Sequence, residues 1–200
     1  MKLNHLFPTP VAFFDLPREF TRQELEFIKG QPTRPNMGNT SSENNYIMDT
    51  PELAELKEFC DASVNHYFRE VYSPDTSIKL RITQSWTNYT EGGQFHHRHA
   101  HPNSLISGVM YIQSDPTKDR IYFYKTGYQQ LKVKVKDWNS FNSESWWFES
   151  KPAQLILFPS SLEHMVQNTE AGAMTRISMS FNTFPVGVMG DYMELTELLL

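Results

Sequence analysis

The sequence predicts a mainly β protein, a sandwich, barrel or jelly roll with helices packed on its N-terminal side. Seven short segments after Pro74 are apolar or alternate, and turn-prone residues part them. No helical period intervenes between these segments, which excludes an alternating βα architecture. Aromatic residues reach 14% of the chain, a composition that suits pleated, half-buried surfaces.

Helices come first. Thr21-Arg22-Gln23-Glu24 reads as a capping box, with Thr21 at the N-cap, Glu24 reaching back to it and Gly30 at the far end. This predicts a helix over 21–29. Residues 31–45 (QPTRPNMGNTSSENN) read as loop. Thr50-Pro51 opens a second helix over 51–71. Leu53, Leu56, Cys60, Val64, Tyr67 and Val71 form its apolar stripe, and His66 falls off that stripe into solvent. Strands are expected at 78–90, 105–113, 120–125, 131–136, 154–158, 164–168 and 174–183. In 131–136 Leu and Val alternate with Lys, as on an amphipathic strand whose lysines guard an edge. Asp191 and Glu194 repeat the capping-box spacing and predict a short helix over 192–199. No linker interrupts the strand region. The expectation is one domain, with a helical part over 1–75, a β core over 78–184 and a helical C-terminal part over 185–200.

Two hundred residues bury a core without disulfide support. Eighteen Lys+Arg against 23 Asp+Glu give a formal charge of −5, which argues against a nucleic-acid partner. The single cysteine, Cys60, excludes an intramolecular disulfide and a four-cysteine zinc site. No apolar run approaches the roughly 18 residues of a membrane span, so no membrane partner is expected. The opening MKLNHLFPTP lacks a secretory apolar region. Cytoplasmic localisation is the expectation.

Four of the seven histidines, His96, His97, His99 and His101, lie within QFHHRHAHP. Such tracts favour metal binding. In an extended chain, side chains at i and i+2 share a face, so either His97/His99 or His99/His101 can converge on one ion. A third ligand must come from a distant strand, and His164 is the candidate. Further on, Arg176-Ile177-Ser178-Met179-Ser180-Phe181 alternates cleanly. Ile177, Met179 and Phe181 belong to a core, while Arg176 and Ser178 share the opposite face. An arginine facing a barrel interior needs an anion, and a guanidinium beside a hydroxyl suits a carboxylate.

Taken in order, several pieces carry a resemblance. They are Ser85-Trp86-Thr87-Asn88, His99-Ala100-His101-Pro102, Ser107-Gly108-Val109-Met110-Tyr111, Leu157 to His164 (LFPSSLEH) and Arg176 to Asn182 (RISMSFN). Over residues 82–184 the chain resembles the iron(II)/2-oxoglutarate-dependent oxygenases, especially those carried by phages and marine bacteria. The resemblance implies a double-stranded β-helix, or jelly roll, and a cytoplasmic location, the host's for a phage protein. It places His99 and His164 at the two histidine ligand positions of an iron(II) site. The position two after the first histidine is usually Asp or Glu. Here it is His101, which a His-x-His-Pro form makes the third ligand, with His97 as the fallback. Imidazole in place of a carboxylate raises the site's charge and makes iron less specific. Arg176, helped by Ser178, would hold the distal carboxylate of the cosubstrate 2-oxoglutarate, with Tyr111 as a second candidate. Asn88 is a candidate polar group beside the ligands.

The implied reaction is hydroxylation of a small molecule or a protein side chain, with release of succinate and carbon dioxide. Activity is expected to fall below about pH 6 as imidazoles protonate. Trp146 and Trp147, in DWNSFNSESWWFES, would either face a substrate groove or cap the barrel end. The oligomeric state stays open, a homodimer included. Two other readings use the same residues. One is a cupin-like three-histidine dioxygenase that does not use 2-oxoglutarate. The other is a non-catalytic jelly-roll binding or virion protein.

Overall fold

The computed structural model describes residues 1–127, 131, 133–168, 170 and 172–200. Its strands in chain order are β1 (Ala12–Asp15), β2 (Thr33–Pro35), β3 (Thr40–Ser42), β4 (Lys79–Thr90), β5 (His96–His99), β6 (Ile106–Gln113), β7 (Arg120–Tyr124), β8 (Ser145–Glu149), β9 (Gln154–Pro159), β10 (His164–Val166), β11 (Arg176–Val186), β12 (Val188–Met189) and β13 (Leu198–Leu199). The helices are α1 (Arg22–Lys29) and α2 (Ala54–Tyr72). A seven-stranded sheet runs β1-β9-β6-β11-β4-β3-β2, and a four-stranded sheet runs β5-β10-β7-β8. The pairings within both sheets are antiparallel.

Period-two alternation sorts the larger sheet into two faces. Ile106, Met110 and Ile112 of β6, Leu155 and Leu157 of β9, and Ile177, Met179 and Phe181 of β11 form one core with Ile28, Leu56, Cys60 and Val64 of the helices. The alternate residues Val109, Tyr111, Ile156 and Phe158 point the other way. They meet Ile121 and Phe123 of the smaller sheet. The result is a mainly β jelly roll with helices on one outer face. Among the described residues, no helix is long and apolar enough to cross a membrane.

Local signals explain the helices. Glu24 N donates to Thr21 Oγ1 (3.1 Å) and Thr21 N donates to Glu24 Oε2 (2.7 Å), the reciprocal capping box. The stripe of α2 is buried from Leu53 through Tyr67, and Val71 at its end is exposed.

Three expectations need correction. Residues 31–45 are not simply loop, because β2 and β3 form a hairpin that extends the larger sheet beside β4. Side-chain hydrogen bonds fix this polar hairpin: Thr87 N donates to Ser42 Oγ at 3.0 Å. Residues 1–75 therefore carry strands as well as helices. The strand expected at 131–136 does not form at Leu131 or at 133–136, and Lys132 lies outside the described residues. Leu131 and Val133 are exposed, and no neighbouring strand pairs with them. At the C-terminus Asp191 Oδ1 does accept from Met193 N and Glu194 N, at 2.7 and 3.2 Å, yet no helix follows. Leu195 turns left-handed (φ 58°) and Thr196 N bonds back to Asp191 O. That reversal lets β13 pair with β12, which takes up the backbone groups a helix would have used.

Candidate metal centre and its chamber

His164 begins β10 and stands directly opposite His99 at the end of β5. Several contacts lock the two segments. His101 N donates to Ser160 O (2.9 Å), and Arg98 Nε donates to Glu163 Oε2 (2.9 Å). The Arg98 guanidinium also lies 4.0 Å from the centre of the Tyr124 ring. A ligand nitrogen from each of His99, His101 and His164 lies within 4.8 Å of the other two. Sequence reasoning joined these three across 63 positions, and the structure brings them together.

Hydrogen bonds determine which nitrogens face inward. Nδ1 of His99 bonds the carbonyl of His97 (2.7 Å), and Nδ1 of His164 bonds the carbonyl of Leu162 (3.0 Å). Each Nδ1 is therefore the protonated nitrogen, and Nε2 keeps its lone pair. The Nε2 atoms of His101 and His164 are 3.4 Å apart. Phe158 packs edge-on against His164, and Trp86 leans on His101. Burial keeps the rings neutral. It pushes His164 down to about 3 and His101 to about 4, and lowers His99, with neighbouring histidines adding to the effect.

These shifts mean that proton competition for the nitrogens begins lower than for a free imidazole. They also predict the stability of the metal-free protein. The unfolded histidines take up protons near 6.5 while the folded ones resist. Stability present above about pH 6.5 is therefore lost as pH falls toward 4. The melting temperature of metal-free protein is expected to drop across that window, and a flat profile would contradict neutral burial of the rings.

A second group, His96, His97 and His99, also meets the distance criterion. His96 entered through a feature invisible in the sequence. A register slip between β5 and β10 sets four residues of β5 (96–99) against three of β10 (164–166), and His96 stacks on His99 at 4.7 Å. His96 lines the inner chamber described below, whereas His97 lines only the outer cavity.

Behind the triad a chamber of about 30 Å³ is lined by Asn88, Tyr111, Ser178 and Ser180 among others. Asn88 Nδ2 donates to Ser180 Oγ (3.2 Å), and its Oδ1 is buried without a partner. Arg176 is 2% exposed and pairs through Nη1 with Asp119 Oδ1 at 3.3 Å. Its Nη2 and the Tyr111 hydroxyl are buried and, among the described residues, have no hydrogen-bond partner. Burial draws the guanidinium below its ordinary value, and Tyr111 and Asp119 oppose that shift. Unsatisfied buried donors cost free energy, so this cluster is built for an acceptor. Asp119, buried in the turn before β7, has no sequence motif that marks it. Its place beside Arg176 comes from the fold alone.

Trp146 and Trp147 lie elsewhere. Both sit on β8, at the far edge of the smaller sheet, and neither lines the cavities at the histidines. Trp147 packs under Arg120, and Trp146 borders a separate cavity with N-terminal residues.

A jelly roll with three convergent imidazoles and a buried arginine on its inner face defines a class of non-haem metal oxygenase folds. Three solved structures share the fold. One is HygX from Streptomyces hygroscopicus with nickel and 2-oxoglutarate bound (TM-score 0.60, 12% identity, 88% of this chain and 83% of that one). Another is an oxidoreductase of the 2OG-Fe(II) oxygenase family from Burkholderia pseudomallei (0.59, 14%, 87% and 84%). The third is a prolyl hydroxylase from Trichoplax adhaerens in complex with a hypoxia inducible factor peptide fragment (0.58, 10%, 87% and 83%). Comparison with curated proteins gives no match. A family model described as "Putative 2OG-Fe(II) oxygenase" matches residues 84–182, which include the histidine triad, Tyr111 and Arg176. Over residues 84–182 the chain matches the 2OG-Fe(II) oxygenase superfamily, and iron(II) and 2-oxoglutarate are the cofactors that this match supports. The donor set fits both: neutral nitrogens for a transition metal, and an unsatisfied guanidinium and phenol for a carboxylate.

Proposed function

We propose that the protein hydroxylates a carbon of a small molecule or protein side chain, converting 2-oxoglutarate to succinate and carbon dioxide. The observation that carries this reading is the convergence of His99, His101 and His164 beside a chamber lined by Tyr111 and Ser178, with the buried Arg176 two residues from Ser178 on β11. His99, His101 and His164 would hold the metal through one imidazole nitrogen each. When bound, iron(II) with 2-oxoglutarate and dioxygen would supply the oxidising power for hydroxylation.

The chain's own residues do the rest. The carbonyls of His97 and Leu162 fix two ring orientations, which prepays the ordering of the ligands. Arg176 and the Tyr111 hydroxyl receive the distal carboxylate of 2-oxoglutarate, with Ser178 beside them. Asp119 positions the guanidinium by holding Nη1. The chamber, about 30 Å³, is smaller than 2-oxoglutarate, so binding widens it by side-chain movement. Val109, Ile121 and Phe158 supply apolar walls that keep water from the reacting centre.

Purified protein with iron(II), 2-oxoglutarate and ascorbate is expected to release succinate, read by mass spectrometry. Succinate should vanish on chelation and return with iron(II). Stoichiometric iron without succinate would instead favour the cupin-like reading. No stoichiometric metal at all would favour the non-catalytic one.

A further inference from the structure

A second cavity of about 690 Å³, a size suited to a small-molecule substrate, shares Trp86, His96, His99 and His101 with the inner chamber. Cross-strand register lays a polar row along its wall. Tyr111 pairs with Ser178, Ser178 with Asn88, Asn88 with Ser41, and Ser41 with Arg34. The row starts in the inner chamber and ends at a guanidinium in the outer cavity. A second arginine arrives by a slip in register. Between Phe181/Ser85 and Thr183/Ile82, β4 carries one more residue than β11. The extra residue turns Arg81 to the face that bears Trp86, opposite Phe184, and all three line the cavity.

The charge of this wall is one-sided. Arg34 and Arg81 line it, and no Asp or Glu does. Among the described residues, neither arginine has a carboxylate at ion-pair distance, although the chain carries a formal charge of −5. Arg34 Nη2 donates to a neutral acceptor, Asn45 Oδ1, at 3.0 Å. Asn36, Asn45, Gln84 and Asn182 add further hydrogen-bonding groups, and Trp86 and Phe184 add flat apolar surface.

We infer that the substrate is an anionic small molecule, whose carboxylate or phosphate group is held by Arg34 and Arg81 and whose apolar part lies against Trp86 and Phe184. The inference rests on the oxygenase reading for its reaction and goes beyond it in naming the chemistry of the substrate. Guanidinium suits both anions because its fork meets two oxygens at once.

Calorimetric titration of the full chain with phenyl phosphate, phenylacetate and neutral phenylacetamide tests it. At least one anion is expected to bind about ten-fold tighter than the amide, as a charge-assisted hydrogen bond implies. Preference for phenyl phosphate assigns a phosphate ester, and preference for phenylacetate a carboxylic acid. Arg34→Gln and Arg81→Gln should each weaken the anion about ten-fold and leave the amide unchanged. Both side chains are exposed, and coincident melting curves check that the variants fold. If a variant melts early, added salt on the parent protein gives the same answer, since only the anion should weaken. Equal affinity for all three probes, or anion binding indifferent to both substitutions, overturns the inference. Consumption of 2-oxoglutarate without any probe tests the oxygenase reading separately. Consumption without arginine-dependent anion binding overturns the inference alone. Arginine-dependent binding without consumption overturns the oxygenase reading and leaves the anion preference standing.

Discussion

His164→Ala is expected to lower affinity for iron(II) by more than about 100-fold and to abolish succinate release. Losing a group that merely orients a ligand costs 10–100-fold, and His164 is itself the candidate ligand. It is also the only one of the three that comes from the second segment, so its loss leaves a two-histidine remnant on one short stretch. Metal content after dialysis reads this directly. His101→Ala should behave alike, whereas His97→Ala should keep its metal, because His97 belongs only to the other histidine group. Metal loss in His97→Ala with retention in His101→Ala would move the centre to His96, His97 and His99.

Arg176→Met is expected to cost about 3–5 kcal/mol of stability as well as the binding of 2-oxoglutarate, because it strands a buried carboxylate. Asp119 is 4% exposed and meets the guanidinium at 3.3 Å. The double variant Arg176→Met/Asp119→Asn should recover most of the stability and none of the affinity for 2-oxoglutarate. Chemical denaturation and calorimetry measure the two losses separately. An Arg176→Met variant that still binds 2-oxoglutarate like the parent would refute the arginine's role. Recovery of both properties in the double variant would refute it too.

The legible parts of the fold are those in which one residue suffices to show a face. Ile177, Met179 and Phe181 against Arg176, Ser178 and Ser180 orient β11 by alternation alone, and the reciprocal Thr21/Glu24 spacing marks the start of α1. Polar strands were not legible. Thr40–Ser42 joins the larger sheet with help from hydroxyls, Ser42 Oγ accepting from Thr87 N and Thr40 Oγ1 donating to Tyr89 O, and its composition reads as loop. The strand expected around Val133 failed for the opposite reason: alternation is present, but no neighbouring strand pairs with Leu131 or with 133–136.

Within the candidate site, His99, His101, His164 and Tyr111 were named from the sequence and line the chamber, and Arg176, also named, is buried against Asp119. His96 was named only as part of the histidine tract and not as a ligand, and Arg34, Arg81 and Asp119 were not named. The first and third reach their positions through register slips, the second through a hairpin read as loop, and the fourth through a turn packed on a remote strand. Registers and remote packing are properties of pairing, which a single strand's own residues do not encode.

The alternation of β11 also bears on how such a protein acquires new specificities. Residues that hold the barrel to its helices and residues that line the two cavities occupy opposite sides of one ribbon. Exchanges at Ser180 or Asn182 can redraw what the cavity accepts while the hydrophobic side stays whole. Diversification and durability are thereby uncoupled within part of a single strand, and a library confined to Ser180 and Asn182, with Arg176 and Ser178 left in place, would explore chemistry without melting the scaffold.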